Sequence, residues 1–421
     1  MPKQSLSILF LLVWTLSFGQ LSEVRRITET LCSPEFHGRG YVNKGDSIAA
    51  AFMASEFQKI GIKPIKKSYF QPFQLSVQTF PGKMDVFTSE LRLKPGIDFM
   101  VDPSSAGFRS VLRPKYIPLE TILNNEDFTA TFRSVISDGK FNAVVLDLSE
   151  AKGDTLKKLR GLSTELARYT AIIEVTSEKF TWSVSDHVLK YPLIYVKPGI
   201  LKEGDELQLN IEAKFIKNYT SRNVVAYLPA KKKSKKTIVY TAHYDHLGRM
   251  GSEIYFPGAN DNASGTAMLL SMAKYFKENP QDYNVLFIAF AGEEAGLHGS
   301  RYFTEHPLFK LNKMTFLLNL DIMGSGEEGI TVVNATLFEQ QFNLLKEINS
   351  EKNLLTQVKS RGPAANSDHY WFTQKNVPAF FIYTMGPNKH YHDIFDTYEE
   401  LSFQEYEDIT TLLVEFGKRV K

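Results

Sequence analysis

The chain has a single cysteine, Cys32, in 421 residues. An intrachain disulfide is thereby excluded, and stability must come from packing or from bound metal. Net charge is nearly absent too: 49 lysines and arginines stand against 47 aspartates and glutamates, leaving +2. That balance predicts no nucleic-acid partner. Beyond the first twenty residues no apolar run is long enough for a transmembrane helix, so no membrane span is expected. There is no internal repeat, no G-x-S-x-G elbow and no H-E-x-x-H helix. The pattern G-x-G-x-x-G is met by GSGEEG (Gly324 to Gly329). Its two glutamates would repel a pyrophosphate, and the following ITVVN reads as strand rather than helix, so a turn is expected. Ser367, Asp368 and His369 are consecutive, and neighbours in sequence cannot line up as nucleophile, base and orienter.

What is present begins with MPKQSLSILFLLVWTLSFGQ. An early lysine, an apolar stretch and small residues before Gln20 predict a secretory signal peptide, 1–19, and a secreted or periplasmic protein. The run AKKKSKK (Ala230 to Lys236) lies between two apolar runs and reads as a solvated hairpin tip. Segments LSEVRRITETLC and KGDSIAAAFMASEFQKIG have helical spacing, the second stopping at Gly61. From about Phe80 to Lys217, short strand-like runs alternate with charged loops, which predicts an inserted β-rich domain over 80–217. Residues 20–79 and 218–421 would then form one domain around it. After Ser221, apolar runs such as TIVYTA, NVLFIAFA, MTFLLNLDIM and AFFIYTM alternate with helical segments. The expected fold is α/β: a mixed, mostly parallel sheet flanked by helices, with the site outside the carboxyl ends of its strands.

Those ends are crowded with acids and histidines. TIVYTAHYDHLG closes on His243, Tyr244, Asp245 and His246; PGANDNASG places Asp261 before a helix. VLFIAFAGEE carries Glu293 and Glu294, LLNLDIMG carries Asp321, and KHYHDIFDT carries His390, His392 and Asp396. Two adjacent carboxylates after a buried strand repel each other unless a cation lies beside them. Carboxylates mixed with imidazoles suit Zn²⁺, and a set this large can hold two ions about 3.5–4 Å apart. One glutamate would then ligate while its neighbour serves as base toward the attacking water.

The segments AHYDHLG, PGANDNASGTA, AFAGEEAGLHGS, NLDIMG, SDHYWF and HYHDIFDT closely resemble the co-catalytic zinc metallopeptidases of the aminopeptidase Y and bacterial leucyl aminopeptidase family. SPEFHGRG near the N-terminus fits the same resemblance, and the middle segment resembles, weakly, a protease-associated domain. The resemblance implies two zinc ions per chain and a peptide substrate. It implies Asp261 as the bridge, His243 and Asp321 on one ion, and Glu294 and His392 on the other. Asp245 would orient His243 from behind, Glu293 would be the general base, and Tyr391 would donate to the oxyanion. Asp393 departs from the threonine common in relatives and leaves His390 a competitor of His392.

An aminopeptidase is the expected activity. A carboxypeptidase of the same fold, a glutaminyl cyclase-like enzyme and a catalytically dead receptor-like protein are the alternatives. A carboxypeptidase would need a cation near the metals, for which Arg249, Arg301 and Arg361 are the candidates. Cys32 is expected in the core and His298 and His306 as structural or surface residues, while Asp368 and His369 are candidates for lining the substrate cleft. Side-chain preference and oligomeric state are not legible.

Overall fold

The computed structural model describes residues 21–137 and 139–421. The expected signal peptide, 1–19, lies outside the described residues. Gly45–Ile60 shows how the first helices form: Ala49, Ala50, Met53, Ala54 and Phe57 recur every three or four residues and are buried. The helix stops at Gly61, whose φ of 80° is the left-handed conformation that glycine adopts without steric cost.

The main sheet has nine strands. Four central ones, Asn284–Phe290, Thr237–His243, Phe316–Leu320 and Ala379–Thr384, lie side by side in that order, all parallel. Lys214–Leu228 flanks them antiparallel on one side and Ile330–Val333 on the other. Alternation along a strand decides which side chain meets which layer. In Asn284–Phe290, Val285, Phe287 and Ala289 face a core that includes Met53, Phe57, Phe276, Leu345 and Phe416. Leu286, Ile288 and Phe290 face a smaller core with Phe303 and Phe372. Helices Gly45–Ile60, Gly265–Glu278, Glu339–Lys352 and Tyr406–Arg419 therefore cover one face, and His298–Glu305 and His369–Gln374 the other. Strands apolar on both sides follow from this double cover.

Two expectations are amended. The lysine run is solvated, but it is no hairpin tip. Lys214–Leu228 and Thr237–His243 are separated by Asn284–Phe290, so the run is a crossover between non-adjacent strands. The middle segment has the expected strands and also helices, Asn125–Ser137 and Gly153–Leu166, where the sequence suggested charged loops. Each helix is polar on most of its surface and buries only a narrow stripe, such as Phe128 with Val135 or Leu156 with Leu166. These pack on one face of a five-stranded sheet, and a three-stranded antiparallel sheet covers the other. The chain enters this segment along Phe70–Thr79 and returns along Lys214–Leu228, which pair antiparallel from Thr79 and Lys214 onward.

Candidate metal centre

All four central strands end on one side of the sheet, so the segments that follow them converge. His243 is the last residue of its strand and Asp321 directly follows another. Glu293 and Glu294 follow the turn after Phe290, and His392 comes from the irregular loop after Thr384. Asp261 arrives from the loop before helix Gly265–Glu278.

Asp261 lies between the two histidines. Its Oδ1 is 3.3 Å from Nε2 of His243 and its Oδ2 is 3.1 Å from Nε2 of His392. His243 Nε2 is also 3.3 Å from Oδ1 of Asp321. His392 Nε2 is 3.2 Å from Oε2 of Glu294. Glu293 offers an oxygen to the same cluster, within 4.8 Å of the nearest ligand atoms of His243 and Glu294. His390 does not compete: its Nδ1 faces Asp393, 3.3 Å away.

Asp245 departs from its expected role. The atom facing His243 Nδ1 is the backbone oxygen of Asp245, at 3.1 Å, while its carboxylate is 3.8 Å away. That carboxylate instead accepts from the Glu293 N–H and the Tyr41 hydroxyl, at 3.3 and 3.4 Å. The main chain, two residues on, reaches the imidazole first and leaves the carboxylate to order the glutamate turn.

Several supporting residues had no role assigned from sequence. His246, fully buried, has Nδ1 2.7 Å from Oε1 of Glu294. Ser367 donates to Asp321 at 2.8 Å, and Asn319 and Thr241 continue that buried chain. Asp396 accepts the N–H groups of Asn260 and Asp261 at 3.0 Å. Arg39, fully buried, donates to the carbonyls of Leu31, Tyr244, Pro257, Gly258 and Asp261. A guanidinium has five N–H groups, and here each has an acceptor. In sequence, His246 and Asp396 were visible as neighbours of ligand candidates. A buried arginine that binds carbonyls leaves no such mark. Asp368 and His369 are both fully buried. Burial pushes the Asp368 carboxyl up to about 7, against the pull of His243.

The electrostatics show what the cluster requires. Burial disfavours a charged His392, yet Glu294 and Asp261 outweigh it and push the imidazole up to about 11. Burial would raise Glu294, but His392 and the hydrogen bond from His246 bring it down to about 2. Burial drives the Glu293 carboxyl well above its ordinary range, with His243 opposing and Glu294 adding to the rise. Protons thus supply positive charge among buried carboxylates. A divalent cation would supply it better, and the mixture of imidazole and carboxylate is the donor set zinc takes.

Fold and cluster together define an α/β protein with a metal-type centre at the carboxyl ends of parallel strands. The chain matches, over residues 223–417, the family profile described as Peptidase family M28. It is 29% identical over 285 residues to aminopeptidase YwaD of Bacillus subtilis, covering 63% of this chain and 60% of that protein. A probable zinc metalloprotease of Pyricularia oryzae is 37% identical over 105 residues, 24% of this chain and 21% of its own length. The chain thus matches less than two thirds of the length of these relatives. The crystal structure of BSAP, a zinc aminopeptidase from Bacillus subtilis, superimposes with a TM-score of 0.69 at 22% identity, covering 93% of this chain and 94% of that one. The fold is therefore shared over nearly the whole chain, middle segment included. Among the described residues no helix is long and apolar enough to cross a membrane.

Proposed function

We propose that the protein is an exported aminopeptidase that holds two zinc ions. The observation that carries the proposal is Asp261, each of whose oxygens faces a different histidine. A carboxylate so placed suits a bridge between two cations, with His243 and Asp321 completing one side and Glu294 and His392 the other. Zinc held there supplies Lewis acidity toward a carbonyl and toward water.

The chain's own residues carry the proton. Glu293 takes it from the attacking water and returns it to the leaving amine. Tyr391 stacks on the His392 ring with centroids 3.8 Å apart. The residue is half exposed, but partial burial and then the negative charges of Asp261 and Glu294 hold its hydroxyl above the ordinary tyrosine range. It is therefore available as a donor to the oxyanion. Asp245 holds the Glu293 main chain rather than the imidazole.

Cleavage from the amino end is favoured by the arginines. Arg301 pairs with Glu305 at 3.1 Å, Arg361 donates to the Tyr383 hydroxyl at 3.3 Å, and Arg249 donates to the Ser252 carbonyl at 2.5 Å. None of these three interactions reaches the cluster, while the carboxylates of Glu293 and Asp321 attract a substrate ammonium. The 80–217 segment is read as a separate module, and 1–19 as a leader removed on export. The test is zinc content of the purified protein, with hydrolysis of a free peptide, its N-acetyl form and its C-terminal amide. Two zinc ions, and cleavage abolished by acetylation alone, are expected. Cleavage of the acetylated peptide with loss on amidation would make the enzyme a carboxypeptidase.

A further inference from the structure

The middle segment reaches back to the candidate centre through the irregular stretch 178–184, among other contacts. His392 and Trp182 are joined reciprocally: the Trp182 N–H donates to the His392 carbonyl, and His392 Nδ1 is 2.9 Å from the Trp182 carbonyl. That second contact fixes the imidazole with Nε2 toward Asp261 and Glu294. Lys179 adds to it. Its ammonium is 2.6 Å from the Lys389 carbonyl, 3.0 Å from the Tyr391 carbonyl and 2.8 Å from the Asp393 carboxylate. An ammonium has three donors, and these three contacts all lie on the His392 loop.

That loop needs holding. It has no helix or strand of its own, and His392 has φ of 58°, the left-handed region that a residue with a Cβ rarely adopts. The stretch that holds it is itself anchored in the middle segment. The Trp182 Nε1–H donates to the Val101 carbonyl at 2.8 Å, and its indole also stacks on Phe256, from beyond the segment, with centroids 4.8 Å apart. Lys197 donates to the Glu178 carbonyl at 2.6 Å and lies over the Phe180 ring. Asp393 in turn accepts the Phe395 N–H at 2.8 Å, so the Lys179 contact reaches both sides of His392 along the chain.

We propose that Lys179 and the main chain of Trp182 are positioning groups for His392, which makes the 80–217 segment part of the catalytic apparatus. The proposal rests on His392 being a zinc ligand. Groups that orient a ligating histidine are worth about 10–100-fold in metal affinity or activity. Lys179→Met, which keeps the stem and removes the donors, is therefore expected to weaken one of two zinc-binding steps by about tenfold or more. The other step should be unchanged, and kcat should fall more than KM rises. Zinc affinity is read by chelator competition on the metal-free protein, and amide exchange across 178–184 is read on the same samples, where faster exchange is expected. Asp393→Asn, which keeps an acceptor for Phe395, should weaken the same step to a smaller extent. The double variant should be less than additive, because the two changes share the Lys179–Asp393 contact. If Lys179→Met does not fold, Asp393→Asn carries the test alone. His392→Ala separates the two readings. Retention of both zinc sites in that variant sinks the ligand assignment itself. Loss of one site there, with wild-type zinc affinity and exchange in folded Lys179→Met and Asp393→Asn, overturns the positioning role and leaves the ligand assignment standing.

Discussion

Glu293 and Glu294 are adjacent, yet their surroundings divide them. Glu294 is engaged by two histidines, His246 and His392, whereas Glu293 has only its main chain fixed, by Asp245. A carboxylate without a fixed partner can accept and release a proton at little reorganisation cost. Glu293→Gln is therefore expected to retain zinc and lose about 10²–10⁴-fold in kcat, the usual worth of a general base. Loss of zinc on this substitution, measured by mass spectrometry under native conditions, would exchange the roles of the two glutamates. At this scale the sequence was informative wherever a polar residue directly follows an apolar strand, as with His243, Asp321 and the two glutamates. It was silent on contacts made by main chain. The Asp245 and Trp182 carbonyls on the two imidazoles have no signature in residue type.

Among the elements, Asn284–Phe290 links the two cores and carries the glutamate turn. Phe287 is fully buried against Tyr240, Phe276 and Phe57, with ring centroids 6.1–6.3 Å away. Truncating such a side chain removes its burial and leaves a cavity that the sheet cannot close. Phe287→Ala should cost about 3–5 kcal/mol in chemical denaturation with an unchanged slope. A loss below about 1 kcal/mol would mean that this strand is not packed as described. Apolar runs of β-branched and aromatic residues made these strands readable in advance. Helices Asn125–Ser137 and Gly153–Leu166 were missed because their buried stripes are too thin to stand out among charged neighbours. The lysine crossover was misjudged because strand order depends on Asn284–Phe290, some fifty residues further on. Local pattern carries no information about such insertion.

At the scale of the whole molecule, the core beneath the main sheet is built from distant parts of the chain. Helix Gly45–Ile60 packs in one core with Phe276, Phe287 and Phe416, all more than 200 residues later. The 80–217 segment, by contrast, closes two cores mostly from its own residues, with Leu247, Met250, Phe256 and the partly buried Ile394 contributed from beyond it.

The paired strands Phe70–Thr79 and Lys214–Leu228 bring the two ends of that segment together, and this sets an order of events during synthesis. When the ribosome has delivered residue 228, the middle segment is complete and its ends can pair. The amino-terminal helices still have no sheet to cover, because the four central strands of the main sheet are yet to come. Domains generally form as units as they emerge, so the later segment should fold before the earlier one. Ribosome-bound chains halted after about residue 270, probed with protease, are expected to show protection across 80–217 while 21–60 remains cleavable. Equal protection of both regions at that length would refute this order. The Lys179 anchor would then already be built when His392 arrives, more than 200 residues later.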